Sequence, residues 1–357
     1  MIQPIITMAY GCTADLSYTE PDFLAIEEKV EKKDLTPGLL EAVMTFPVSG
    51  VETAIWVPPL VGLVISFFTS MGGISGAFLI LPFQMSVLGF TSPAVTPTNL
   101  VFNVVGIPSA VYRYFKEGRM NWPLAWNIIA GTIPGLVLGL FIRVWYLPDP
   151  KPFKLFVGCV LFYIGGRMLY QIVKDRGKAT SEKAAEAKMR QQASALAMAG
   201  KSNRPAICTT HWSLSRTEYQ FFGECFQFHT TGLFVLSLVV GLIGGVYGIG
   251  GGAIIAPFIV SFFGLPIHTI AGAALMGTCV TSVGGVIFYE LFGPYVALPG
   301  QSVRPDWLLG FLFGIGGFVG MYLGASCQKY VPGSIIRPCL AILIVSVGLR
   351  YVVGYFV

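Results

Sequence analysis

Apolar residues gather into eight long stretches, roughly 54–89, 93–112, 123–146, 152–173, 229–264, 269–292, 306–327 and 333–356. Short polar connections separate them, and one longer polar stretch, 174–228, divides them four and four. Stretches apolar on every face fit neither the period of two of a half-buried strand nor the single stripe of a surface helix. A bilayer needs about 20 such residues per helix, so most stretches fit one span each. The first and fifth are too long for one straight span. Each carries a glycine-rich break near its middle, followed by proline: Gly72, Gly73, Gly76 and Pro82 in one, Gly248, Gly250, Gly251, Gly252 and Pro257 in the other. They read as a helix, an unwound turn and a second short helix. The fold predicted is an all-α polytopic membrane protein: two repeated halves of four hydrophobic segments, the first segment of each half broken at a glycine-rich turn.

The halves are alike in sequence. Gly73-Ile74-Ser75-Gly76-Ala77-Phe78-Leu79-Ile80-Leu81-Pro82-Phe83 aligns without gaps onto Gly248-Ile249-Gly250-Gly251-Gly252-Ala253-Ile254-Ile255-Ala256-Pro257-Phe258. A glycine follows at the same distance in both, Gly89 and Gly264, and the pair Gly135 and Gly139 matches Gly320 and Gly324. The expected organisation is an acidic region at 1–53, a first repeat at 54–173, a basic linker at 174–228 and a second repeat at 229–357. In the N-terminal region, Leu39, Leu40, Val43 and Phe46 could form the apolar face of a short interfacial helix. Ala-rich 183–199 could form a surface helix. If each broken segment crosses once, there are eight spans. If each re-enters, there are five membrane elements per half and the halves are inverted.

Composition narrows the class. Of 357 residues, 54% are hydrophobic and 11% charged, against about 25% charged in a soluble domain. The mean hydropathy is +0.70. A disordered chain, a disulfide scaffold and an ordinary soluble enzyme are excluded. The net charge of +5 lies mainly outside the apolar stretches, so it marks loops rather than a nucleic-acid surface. The densest basic clusters are the linker (Lys174, Arg176, Lys178, Lys183, Lys188, Arg190, Lys201, Arg204) and the 113–119 loop (Arg113, Lys116, Arg119). Two spans separate them, so they share a side, and the positive-inside rule makes it cytoplasmic. Opposite loops carry fewer cations, Arg143 among them. The localisation expected is the cell (inner) membrane, multi-pass.

Candidate chemistry centres on the breaks. Unwound backbone inside a bilayer costs several kcal/mol per unsatisfied group, so it belongs where it is buried or lines a polar cavity. A helix that starts after the break aims N–H groups and a positive dipole end at that cavity, a natural anion site. The alternative is that the glycines only let helices pack closely. The segments that follow carry Thr96, Thr98, Asn99 and Asn103 in the first half, and Thr278, Thr281 and Ser282 in the second. Asn99 and Asn103 lie one turn apart on one face. Hydroxyls can instead bond their own helix backbone. The candidate substrate-binding set is Gly73, Ser75, Gly76, Ala77, Thr98, Asn99, Asn103, Gly250, Gly251, Gly252, Thr278 and Thr281, a cradle of neutral donors with no fixed arginine. Glu52, Glu117 and Glu290 lie near segment ends, which favours a facilitator or a gradient-driven exporter over proton coupling through a buried carboxylate. Cys208, His211, Cys225 and His229 have loose zinc-like spacing, and the reading adopted assigns no metal, no cofactor and no catalytic residue.

With these motifs the chain resembles the TauE/SafE (TSUP, sulfite exporter) family of membrane permeases over about residues 54–356. Ser75 and Ala77 replace two glycines in the first copy of the motif. The resemblance implies transport of sulfite, organosulfonates or related small anions. The partners expected are a small anionic substrate and the lipid bilayer, with no nucleic acid; a homo-oligomer is compatible with the sequence. The competing reading is a membrane-embedded enzyme or a sensor acting on a sulfur compound.

Overall fold

The computed structural model describes residues 43–71, 73–175, 207–221, 224–297, 302–327 and 333–356. The region before Val43, the Ala-rich 183–199 and most of the linker's basic cluster lie outside the described residues. A hairpin of β1 (Val43–Thr45) and β2 (Glu52–Ala54) precedes α1 (Val57–Met71), α2 (Ala77–Ser86), α3 (Val95–Lys116), α4 (Trp122–Trp145) and α5 (Pro150–Asp175). An antiparallel sheet of β3 (Ile207–Trp212), β4 (Arg216–Phe221) and β5 (Glu224–His229) leads into α6 (Thr230–Tyr247), α7 (Ile255–Phe263), α8 (Ile267–Val296), α9 (Trp307–Cys327) and α10 (Gly333–Phe356). Among the described residues, five helices are long and apolar enough to cross a membrane: α4, α5, α6, α8 and α9. The 22-residue α3 has the length, about 33 Å at 1.5 Å per residue. It carries Asn99, Asn103, Arg113 and Lys116, which lower its hydropathy.

Small residues set the packing. Along α4, Gly131, Gly135 and Gly139 sit on Phe234, Leu238 and Leu242 of α6, and a methyl at any of them would overlap a backbone oxygen there. Along α9, Gly316, Gly320 and Gly324 sit in the same way on Pro59, Leu63 and Phe67 of α1. Backbones approach this closely only without a Cβ, the usual device where lipid removes the hydrophobic drive for association.

The same contacts fix the direction of each helix. Residue numbers rise together between α1 and α9 and between α4 and α6. They also rise together between α3 and α9 (Val101 on Gly310, Val105 on Gly314) and between α4 and α8 (Ile128 on Gly277, Leu136 on Gly285). They run opposite between α3 and α8 (Leu100 on Gly285, Tyr114 on Gly272) and between α5 and α10 (Gly158 on Tyr351, Gly165 on Val345). Thus α1, α3 and α9 share one direction, and α4, α6 and α8 the other. Because α1 and α3 are parallel, α2 must bring the chain back to the end where α1 began; α7 does the same between α6 and α8. Of the two courses open from sequence, the described helices follow the returning one.

Each end of the bundle has a soluble piece. At the end where α1 begins, the β1–β2 turn docks through Ser49, whose N–H and hydroxyl donate to Asp306 Oδ2 at 3.0 and 2.8 Å. Asp306 Oδ1 caps α9 by accepting from Leu309 N at 3.2 Å; Asn121 caps α4 alike, accepting from Leu124 N at 3.3 Å. The expected interfacial helix therefore does not extend over Val43 and Phe46: Val43 is in an exposed strand, and Phe46, in the hairpin turn, is fully buried. The rest of that helix lies outside the described residues.

At the other end, Ile207 N bonds Gly118 O at 3.2 Å, so the sheet meets the 113–119 loop. In β4, Thr217, Tyr219 and Phe221 are buried and alternate with more exposed neighbours, the period of two that seats one face of a sheet. Tyr219 OH and Thr269 Oγ1 at the start of α8 lie 2.8 Å apart. Burial pushes the Tyr219 phenol up to about 12, and the hydrogen bond to Thr269 opposes this only in part. Cys208 and Cys225 face Gln220 from its two sides. They are thus two strand spacings, about 10 Å, apart, too far to share one zinc ion.

Gly316→Ala should cost about 1–3 kcal/mol by overpacking, because its new methyl meets Pro59 backbone. Gly166→Ala, where a methyl meets nothing within 4 Å, should leave the melting temperature in detergent unchanged. Equal melting temperatures for the two variants would refute the packing assigned to α1 and α9.

Candidate functional site

Between Met71 and Ala77, and again between Tyr247 and Ile255, the chain leaves the helix inside the bundle. Left-handed backbone makes both turns: φ is +69° at Gly73, +80° at Gly248 and +74° at Gly250, values that side chains with a Cβ resist. Some freed amides find local acceptors. Gly73 and Ile74 donate to Ser70 O and Thr69 O, and Gly248 and Ile249 both donate to Gly244 O. Ala77 N donates to Ser75 Oγ at 3.2 Å. The amides of Ser75, Gly76, Gly250, Gly251 and Gly252 form no hydrogen bond among the described residues, and all five residues are buried.

Side chains of α3 bind carbonyls at both breaks. Asn99 Nδ2 donates to Ala77 O at 3.0 Å and to Gly248 O at 2.9 Å. Asn103 Nδ2 donates to Ile249 O at 2.8 Å, and its Oδ1 accepts a short hydrogen bond from Ser75 Oγ. Tyr247 OH reaches across to Phe78 O at 2.6 Å. Two asparagines one turn apart therefore tie both breaks together. Each break also has one buried hydroxyl beside it without a partner: Ser66 Oγ next to Gly76 and Ser282 Oγ next to Gly250. Asn99 Oδ1 is the acceptor left unpartnered beside them; the other unspent groups are N–H and O–H donors with no carboxylate among them, which suit the oxygens of an anion.

A sequence profile described as "Sulfite exporter TauE/SafE" matches residues 59–351, a range that takes in both breaks and runs from the first turn of α1 into α10. The chain belongs to this family. Among curated proteins it is 19% identical over 302 residues to "Probable membrane transporter protein YunE" of Bacillus subtilis (strain 168), covering 82% of this chain and 95% of the relative. No solved structure matches. With the family shown and five helices able to cross a bilayer, the chain is a multi-pass membrane transporter of the TauE/SafE type.

In this TauE/SafE chain the sequence-derived site divides in two. Gly73, Ser75, Gly76, Ala77, Asn99, Asn103 and Gly250 come together around the joined breaks. The hydroxyls of Thr98, Thr278 and Thr281 donate to Ala94 O, Ala274 O and Gly277 O of their own helices at 2.7–2.8 Å. That leaves no hydrogen for an anion. Thr98 Oγ1 in turn accepts from Asp306 N at 2.8 Å. Gly251 and Gly252 offer their amides and no room for a side chain: a Cβ would meet Thr132 Cβ at 2.5 Å from Gly251, and Ala274 O at 2.5 Å from Gly252. Sequence reasoning missed Ser66 and Tyr247, which sit in apolar runs with no motif around them. It also placed Arg143 among loop cations, whereas that residue lies inside α4 and is fully buried.

The asparagine contacts revise what Asn99→Ala does. It strands Gly248 O in the interior, at a cost of about 1–3 kcal/mol, and removes the bridge to Ala77 O, a carbonyl in the first turn of α2. The expected outcome is a clear drop in the detergent melting temperature, while Thr281→Val changes it little. A drop no larger than that of Thr281→Val would show that Asn99 does not hold the breaks.

Proposed function

We propose that the chain is a secondary transporter or facilitator for a small oxyanion, with sulfite or an organosulfonate the first candidates, acting in the cytoplasmic membrane. The observation that carries this reading is the pair of joined breaks, with five unspent amides and two unspent hydroxyls in a buried, carboxylate-free setting. The anion is held by the amides of Ser75, Gly76 and Gly250–Gly252 and by the hydroxyls of Ser66 and Ser282, while Thr98, Thr278 and Thr281 form the wall. Neutral donors replace hydration without a charge that traps the substrate. In this reading the chain is not an enzyme.

The halves 54–173 and 229–357 are inverted repeats. Support comes from the gapless motif and from the exchanged packing, α1 on α9 and α6 on α4, with glycines at matching places. Each half has three full crossings and one returning hairpin. The end that carries the 207–229 sheet and the 113–119 loop is cytoplasmic, because that loop is basic and the chain segment that holds the second basic cluster leaves from α5 and re-enters at β3. A variant with Cys208 as its single cysteine should react with an impermeant thiol reagent in inverted vesicles and not in sealed cells; the reverse pattern would invert the assignment.

Purified protein in liposomes should move sulfite or a sulfonate faster than empty liposomes, against sulfate, thiosulfate and simple carboxylates. Ser66→Ala and Ser282→Ala should each raise the half-saturating concentration roughly 10-fold or more, since a hydrogen bond to a charged group contributes about 1.5–3 kcal/mol. No flux of any anion would sink the transport reading; flux unchanged in both variants would move the site away from the breaks.

A further inference from the structure

Among the described residues, Arg143 and Asp306 are the charged side chains that are buried, at 0% and 1% exposure. Asp306 is engaged by Ser49 and Leu309 and forms no ion pair with Arg143. Arg143 has partners for part of its guanidinium. Nε donates to Thr96 Oγ1 at 3.1 Å, one terminal nitrogen donates to Leu147 O, and the plane lies 3.8 Å from the centre of the Phe153 ring. The other terminal nitrogen, Nη2, has no acceptor. Tyr289 of α8 is 1% exposed, and its hydroxyl is also without a partner. Tyr289 packs in one apolar cluster with Leu140 and Val144, which flank Arg143 on α4.

A guanidinium is always protonated. The last carbonyls of α4 and the Phe153 face offset part of its desolvation, but they supply no counter-charge. A buried positive charge without an anion, next to a second donor without an acceptor, lacks one negatively charged, acceptor-rich group. The place is continuous with the breaks: the Thr96 side chain that binds Arg143 also lies against Gly248, where a Cβ would come within 2.5 Å of the Thr96 methyl. Arg143 lies at the Asp306 end of α4, so it stands between that end of the bundle and the second break.

We infer that Arg143 Nη2, the Tyr289 hydroxyl and the neighbouring Thr96 form a second oxyanion site, an antechamber that receives the transported anion at the Asp306 end before it reaches the breaks. The inference rests on the transport reading for its role, but the binding site stands on these donors alone. In the sequence register that pairs 135 with 320, Gln328 stands where Arg143 does.

The test is anion-dependent thermal stabilisation of the purified full chain, titrated with sodium sulfite and sodium sulfate against sodium chloride at equal ionic strength. The wild type should melt at higher temperature as one of the oxyanions rises. Arg143→Gln should raise the half-saturating concentration at least about 10-fold, as loss of a charge-assisted pair of hydrogen bonds requires. Tyr289→Phe, which removes one oxygen and keeps the ring, should raise it about 5-fold, and serves if the arginine variant does not fold. Arg143→Lys should restore part of the effect. An unchanged titration in Arg143→Gln or, where that variant fails to fold, in Tyr289→Phe overturns the site, as does a wild type whose melting temperature responds to the oxyanions no more than to chloride; in either case Nη2 is satisfied by water alone. Liposome flux separates this from the transport reading. Flux with no Arg143-dependent stabilisation leaves transport standing without the antechamber. Arg143-dependent stabilisation without flux leaves a binding site in a protein that does not transport these ions.

Discussion

The rest of the structure depends on one requirement: backbone polar groups freed inside an apolar bundle must be satisfied there. Lipid offers no hydrogen bonds, so an unwound turn at depth survives only if protein supplies partners. Here the carbonyls and the amides are treated differently. Carbonyls released at Gly248 and Ile249 are taken up by Asn99 and Asn103, and Asn99 also reaches Ala77 O at the start of α2. Several amides of the same turns are left without protein partners. The imbalance gives the centre of the bundle a surplus of donors, which is what attracts an anion in the reading proposed above.

That requirement also dictates much of the helix arrangement. For one pair of asparagines on α3 to serve both turns, the two breaks must meet beside α3. They do so because each half's first helix packs on the fourth helix of the other half, not on its own. The contact is made by glycines spaced four apart on α4 and α9, whose missing Cβ atoms admit the partner backbone. Returning α2 and α7 then follow from direction: α1 lies parallel to α3 and α6 parallel to α8, so the short helices must lead back. The glycine spacing, the exchange of partners and the two hairpins are one solution seen at three scales.

Much of this was legible in the sequence, and the limits have physical reasons. The breaks announce themselves because clustered glycine followed by proline is costly in a membrane helix and recurs twice in register. Asn99 and Asn103 stand out because two amides on one helical face in apolar surroundings need partners. Their role as clamps was not legible, since it depends on Gly248 and Ile249 arriving from a segment about 150 residues away. Thr98, Thr278 and Thr281 look identical in sequence to free donors, and only coordinates show that each hydroxyl turns back to its own helix. The 207–229 sheet was hidden for a different reason: a short polar strand trio inside a linker carries a weak period-two signal beside the long apolar runs.

Arg143 shows why charge is the hardest quantity to place from sequence. It sits near the end of an apolar run, where a long cationic side chain ordinarily snorkels to water. Nothing in the neighbouring residues indicates that the chain from Leu147 to Phe153 folds over it. Once covered, the same side chain changes meaning, from a topology signal to an electrostatic one, because desolvation removes the water that would have screened it. In the reading proposed, the bundle combines two kinds of attraction for anions. A charge stands at one end, where an ion arriving from water must be drawn out of its hydration, and neutral donors stand at the breaks, where an ion must be held and still released. A charge at the centre would deepen the well at the point of hand-over; placed at the end, it raises local anion concentration without fixing the ion in the path.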